Sequence, residues 1–121
     1  IMTGDAQGLA LLVDDEEAVR ASTADMLEEF GYEVHEAESG EAALALVEQG
    51  LRPDLLVTDH LMPGMTGVEL ALTLRGRLPG LPVLIVSGYA DVEEIAPDLP
   101  RLTKPFRSAE LKTRLTSLAA N

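Results

Sequence analysis

Apolar residues fall along this chain in two rhythms. Leu9-Ala10-Leu11-Leu12-Val13 is a continuous run, and so is Leu55-Leu56-Val57 within the stretch Asp54 to Thr58. Pro82 to Val86 is a third, the most strand-like stretch of all. Short unbroken runs bounded by turn residues predict strands buried on both faces. Tyr32 to Ala37 alternates instead, with Tyr32, Val34 and Ala37 set against Glu33, His35 and Glu36. That pattern predicts an edge strand with one wet face. Leu99 to Thr103 is a weak fifth strand. Between these runs the spacing becomes helical. Val19, Thr23, Met26, Leu27 and Phe30 mark a helix over 16–29, with Glu16 and Glu17 in its favourable first turn and Gly31 as its stop. Ser39 caps a second helix over 40–48, and Gly50 closes it. Val68, Ala71, Leu72 and Leu74 predict a short third helix ended by Gly76. Residues 90–96 can form two turns before Pro97. Ser108 can cap a last helix with Leu111, Leu115 and Leu118 in line.

Strand and helix therefore alternate five times, with short connections. Such alternation implies a parallel sheet with right-handed crossovers and helices on both faces. At 121 residues the chain fits one domain. We assign it to 8–121 and leave 1–7 as a flexible N-terminal stretch.

The strands end in chemistry. Asp14-Asp15 follow the first, Asp59 ends the third, Ser87 the fourth, and Lys104 follows the fifth. In a parallel sheet these groups gather at one edge, the carboxyl edge where ligands bind. Three carboxylates together repel one another. Protonation of one, or a hard divalent cation, relieves that. Mg²⁺ suits such a site, since it takes oxygen ligands and keeps waters. With an ammonium and a hydroxyl added, the set suits phosphoryl transfer to a carboxylate.

Composition narrows the partners. A net charge of −12 argues against nucleic acid and against anionic membrane surfaces. With no cysteine there is no disulfide, thiolate metal site or Cys nucleophile, which suits a cytoplasmic location. No apolar run approaches the ~20 residues of a membrane helix, and no signal peptide is visible.

Four segments carry a resemblance to a known family: Leu12-Val13-Asp14-Asp15-Glu16, Val57-Thr58-Asp59-His60-Leu61-Met62-Pro63-Gly64-Met65-Thr66-Gly67, Ile85-Val86-Ser87-Gly88 and Thr103-Lys104-Pro105-Phe106. In this order they resemble the receiver domains of two-component response regulators, over roughly residues 8–119. The wording around Asp59 looks most like the C-terminal receivers of hybrid histidine kinases. The resemblance implies a flavodoxin-like, doubly wound five-stranded parallel sheet in strand order 2-1-3-4-5. It implies that Asp59 accepts a phosphoryl group from a histidine kinase or histidine phosphotransfer domain. Asp15, Asp59 and the main-chain carbonyl of Leu61 would hold Mg²⁺, with Asp14 helping through water. Ser87 would hydrogen-bond the phosphoryl group and Lys104 would pair with it, across a cis Lys104-Pro105 bond.

Such a domain is not an ordinary enzyme, because it assists only its own phosphorylation and hydrolysis. The alternative is a small aspartyl-phosphate phosphatase or phosphotransferase on a related sheet. That class usually places an acid two residues after the nucleophile, where this chain has Leu61. A third reading is a flavodoxin-like binding module, but the chain lacks a glycine-rich phosphate loop after its first strand. Asp14 and Asp15 could merely cap the first helix, but one cap does not need two acids. Ser87 alone would read as a turn residue and Lys104 alone as a surface lysine. A phosphohistidine or metal role for His60 lacks a second histidine, and His35 reads as exposed. Three residues before Lys104, where the family commonly has an aromatic switch residue, stands Arg101. The span from Ser87 to Lys104 is also short. These departures predict a shortened fourth helix, no aromatic switch, a reporter near Tyr89 and a monomer in isolation.

Overall fold

The computed structural model describes residues 8–88 and 99–120. The N-terminal stretch 1–7, Tyr89, the expected helix at 90–96 and Pro97 lie outside the described residues. Five strands, β1 (Gly8–Val13), β2 (Tyr32–Ala37), β3 (Leu55–Asp59), β4 (Val83–Ser87) and β5 (Arg101–Thr103), form one sheet in the order β2-β1-β3-β4-β5. Every pairing is parallel. This is the flavodoxin-like order, in which the chain winds outward from β1 in both directions. The described helices are α1 (Glu17–Glu29), α2 (Gly40–Glu48), α3 (Gly67–Arg77) and the C-terminal α4 (Ser108–Ala120).

Alternate side chains of the sheet serve two cores. Leu11, Val13, Leu56, Val83 and Ile85 pack toward α2 and α3, with Ala43, Val47, Leu70 and Leu74. Ala10, Leu12, Val57, Leu84 and Val86 pack toward α1 and α4, with Leu27, Leu111 and Leu115. The continuous apolar runs are thus explained by burial on both faces, and β2, paired only to β1, is the edge strand expected from its alternation.

Local signals place the ends. Gly31 adopts a left-handed φ of 97° after α1. Ser39 Oγ accepts the Ala42 N–H at 3.0 Å, and Gly50 has φ 116°. Three expectations need correction. Leu72 is 59% exposed, and Leu70 fills the core instead. The buried set Gly67, Leu70, Ala71 and Leu74 fixes a helical phase that turns Leu72 outward. Gly76 does not stop α3. It lies within the helix facing open space, and the turn comes at Gly80, where φ is 85°. Ser108 does not cap α4 but begins it. The Arg107 carbonyl accepts the Leu111 N–H, and Glu110 Oε1 accepts the Arg107 N–H at 2.8 Å.

Candidate phosphoacceptor site

Asp59 is the last residue of β3, every position of which is buried. Its backbone is held from both sides. Thr58 Oγ1 donates to the Asp59 carbonyl at 2.9 Å, and the Gly67 N–H donates to the His60 carbonyl at 2.8 Å. A Cβ on Gly67 would lie 2.9 Å from His60 Cα and would collide with the Asp59 carbonyl. Glycine is therefore required where α3 begins beneath the acid. Thr66 and Glu69 start that helix with a reciprocal capping box, a T-x-x-E pattern legible in the sequence.

Asp14 lies at the end of β1 and is 4% exposed. Its Oδ1 accepts the Glu16 N–H at 2.9 Å, closing the turn into α1. The cap residue of α1 is Glu16, with no side-chain cap bond, so neither aspartate is a helix cap. Asp15 is exposed at the mouth. Asp14, Asp15 and Asp59 each bring a carboxylate oxygen within 4.8 Å of the others.

Lys104 enters from the other side. Its Nζ stands 3.2 Å from Asp59 Oδ1 and 3.3 Å from Asp14 Oδ2. Its N–H donates to the Ser87 carbonyl at 2.9 Å, joining the ends of β4 and β5. Ser87 is buried at the end of β4, beside the strand that carries Asp59. The Lys104-Pro105 bond is cis, as the resemblance implied.

Burial pushes the Asp59 carboxyl above the usual carboxylate range. Lys104 pulls it back and Asp14 pushes it up further. Burial works against the Lys104 ammonium, but the Asp59 and Asp14 carboxylates outweigh that and raise it. The site thus has surplus negative charge in a partly dry place. An oxygen set of this kind fits a hard divalent cation, which would offset the Asp14 repulsion that adds to burial in lifting Asp59.

The side chains of Asp14, Asp15, Asp59 and Lys104 converge. Ser87 adjoins them at the end of β4 through its main chain, and Leu61, expected to contribute only its main chain, is 50% exposed just past β3. His60 is buried and stands outside the acid cluster. Its N–H donates to the Val86 carbonyl, and its Nδ1 has no hydrogen-bond partner among the described residues. His35 is 39% exposed and pairs with Glu33. Arg101 opens β5 and is half-buried. Sequence reasoning missed Arg20, whose Nη1 donates to the Asp14 carbonyl at 2.8 Å and whose Nε pairs with Glu36 at 3.0 Å. It also missed a groove of about 330 Å³ beside Lys104, between α1 and the β5–α4 loop, lined by Val19, Met26, Pro105 and Phe106 among others.

Residues 10–116 match the response regulator receiver domain. The chain belongs to that family. It is 40% identical over 115 residues to the sensor kinase CckA of Brucella abortus, covering 89% of this chain and 12% of the kinase. The chain spans half or less of the curated relatives it matches. Among solved structures, the receiver domain of the hybrid histidine kinase CckA is 38% identical with a TM-score of 0.79, covering 92% of this chain and 98% of that one. The Thermotoga maritima response regulator TrrA, solved with Mg²⁺ and a beryllium fluoride, is 33% identical with a TM-score of 0.80, covering 93% and 99%. Among the described residues no helix is long and apolar enough to cross a membrane.

Proposed function

We propose that this receiver domain accepts a phosphoryl group on Asp59 from a phosphohistidine of a kinase or histidine phosphotransfer domain. The observation that carries the reading is the Lys104 ammonium shared between Asp14 and Asp59 at a carboxyl edge that also gathers Asp15 and Ser87. An Asp59 carboxylate oxygen attacks phosphorus. The phosphorus–nitrogen bond breaks, the imidazole leaves, and an acyl phosphate remains. Lys104 shifts from Asp59 toward the phosphoryl oxygens, and the Ser87 hydroxyl donates to another. Asp14, Asp15, Asp59 and the Leu61 carbonyl would hold Mg²⁺, which when bound neutralises charge on the incoming group. The groove beside Lys104 gives the donor an apolar foothold, and the net charge of −12 favours a cationic donor surface. The domain turns over no external substrate and works in the cytoplasm, alone or as one module of a longer kinase.

Leu61 offers no carboxylate or amide two residues past Asp59 to align an attacking water, so the acyl phosphate persists. The test is intact mass after treatment with acetyl phosphate and Mg²⁺. One added phosphoryl group is expected, absent in Asp59→Asn and absent in excess chelator. Equal labelling of Asp59→Asn would overturn the reading.

A further inference from the structure

We infer that Arg20, anchored by Glu36, is a positioning residue that sets the divalent-cation affinity and selectivity of the acid pocket by fixing the Asp14–Asp15 peptide. The inference rests on the reading of that pocket as a Mg²⁺ site.

Asp14 is tied at four points. Its N–H donates to the Ala37 carbonyl at 3.2 Å, Oδ1 accepts from Glu16 and Oδ2 from Lys104. The fourth tie is the Arg20 guanidinium on its main-chain oxygen. That oxygen belongs to the peptide joining Asp14 to Asp15. Asp15 is exposed, so its direction depends on the peptide that carries it. Arg20 reaches this peptide from the second turn of α1 and is itself only 16% exposed. Its Nε is held by Glu36 on β2, so the planar fork spans two elements at once. A lysine has one donor centre and cannot bridge both partners in this way.

The two possible actions of Arg20 have opposite signs. As a charge near the pocket it would repel a cation, and removing it would tighten binding. As a clamp it holds the ligands in place, and removing it would weaken binding. Glu36 neutralises the guanidinium, so the clamp prevails. Mg²⁺ demands near-ideal octahedral geometry, whereas Ca²⁺ tolerates irregular ligand sets. A loosened peptide therefore harms Mg²⁺ more than Ca²⁺.

The test titrates the whole chain with Mg²⁺ alone and with Ca²⁺ alone, followed by amide chemical shifts, with thermal melts in chelator as the check on folding. Arg20→Ala and Arg20→Lys should each weaken Mg²⁺ about tenfold, the scale on which outer partners act on metal affinity. Ca²⁺ should weaken less, and the Asp15 amide should shift in the metal-free protein. Glu36→Gln, which keeps an acceptor for Nε but not the neutralising charge, should lose less Mg²⁺ affinity than Glu36→Ala. Glu36→Ala, at a side chain 43% exposed and so safe for folding, should lose part of the affinity. Tighter or unchanged Mg²⁺ binding in Arg20→Ala and Glu36→Ala would overturn the inference, as would equal losses for both ions. A parent chain that binds no Mg²⁺ would instead overturn the reading of the pocket, and the inference with it.

Discussion

β3 and β5 each deliver one charged group to the same site, and they are built differently. β3 has five residues, all buried, with β1 on one side and β4 on the other. Its end is locked by Thr58 above and by Gly67 pressed beneath. β5 has three residues at the sheet edge, of which only Leu102 is buried. It is tied to β4 through the Pro100 and Ser87 carbonyls. The difference follows from what each strand carries. Under the phosphoacceptor role proposed for Asp59, the attacking carboxylate must be aimed within fractions of an ångström, which a short side chain on a rigid strand provides. An ammonium is a point charge on a flexible four-carbon stem and finds its partners from a looser base. On that proposal precision is concentrated at Asp59, and charge comes from wherever a lysine can reach.

The strongest way to sharpen this contrast is to remove the lysine's charge. Lys104→Ala should slow phosphorylation by acetyl phosphate about 10²-fold, the scale of a lost charge-stabilising donor. Thr103→Gly, which weakens β5 but keeps Lys104, should slow it by less than about threefold, since the stem can adjust. A second variant attacks the rigid end. Gly67→Ala forces the Asp59 carbonyl and α3 apart and should lower stability by about 1–3 kcal/mol, as overpacking does. Chemical denaturation would measure this. Phosphorylation should also slow more than in Thr103→Gly. If Thr103→Gly proved the more damaging of the two, the contrast between the strands would be wrong.

Much of this was legible along the chain, for reasons tied to range. Parallel strands buried on both faces write themselves as unbroken apolar runs, so β1, β3 and β4 were clear. The acids and the lysine at the strand ends stood out because apolar runs seldom stop in charge. What failed was phase and distance. Leu72 fits an apolar count as well as Leu70 does, and only packing against the sheet chooses between them. The Arg20–Glu36 pair joins residues sixteen apart on a helix and an edge strand, and no local pattern announces it. Gly67 was visible as a motif letter, but its reason, the close approach of the Asp59 backbone, is tertiary. The Thr66–Glu69 box, by contrast, is a local T-x-x-E pattern that the chain displays in four residues.

The smallest effect tests the electrostatic side of the same contrast. If rigidity at β3 holds Asp59 in place against its own charge, the cation-free protein should gain from neutralising it. The Asp59 carboxyl lies above its ordinary value of 3.8 in the folded chain, chiefly through burial. A group raised in this way favours folding below its ordinary value, and that benefit is lost as pH rises through the raised one. At pH 7 the benefit is gone, and the carboxylate sits beside Asp14 and Asp15. Asp59→Asn restores a neutral group of the same shape. In chelator at pH 7 its thermal melt should lie above that of the parent. Below pH 3.8 the gain should vanish, since the parent then carries a neutral acid too. Lys104 stays charged in the parent, its ammonium being raised above its ordinary value by Asp59 and Asp14, but the variant gives up its ion pair with Asp59, which works against the gain. Added Mg²⁺ should stabilise the parent more than the variant and narrow the gap, because a cation that binds only the folded form raises its stability by mass action. A variant that melted lower than the parent at pH 7 in chelator would mean that Lys104 holds Asp59 more strongly than burial opposes it. The looser strand would then be the one that secures the site.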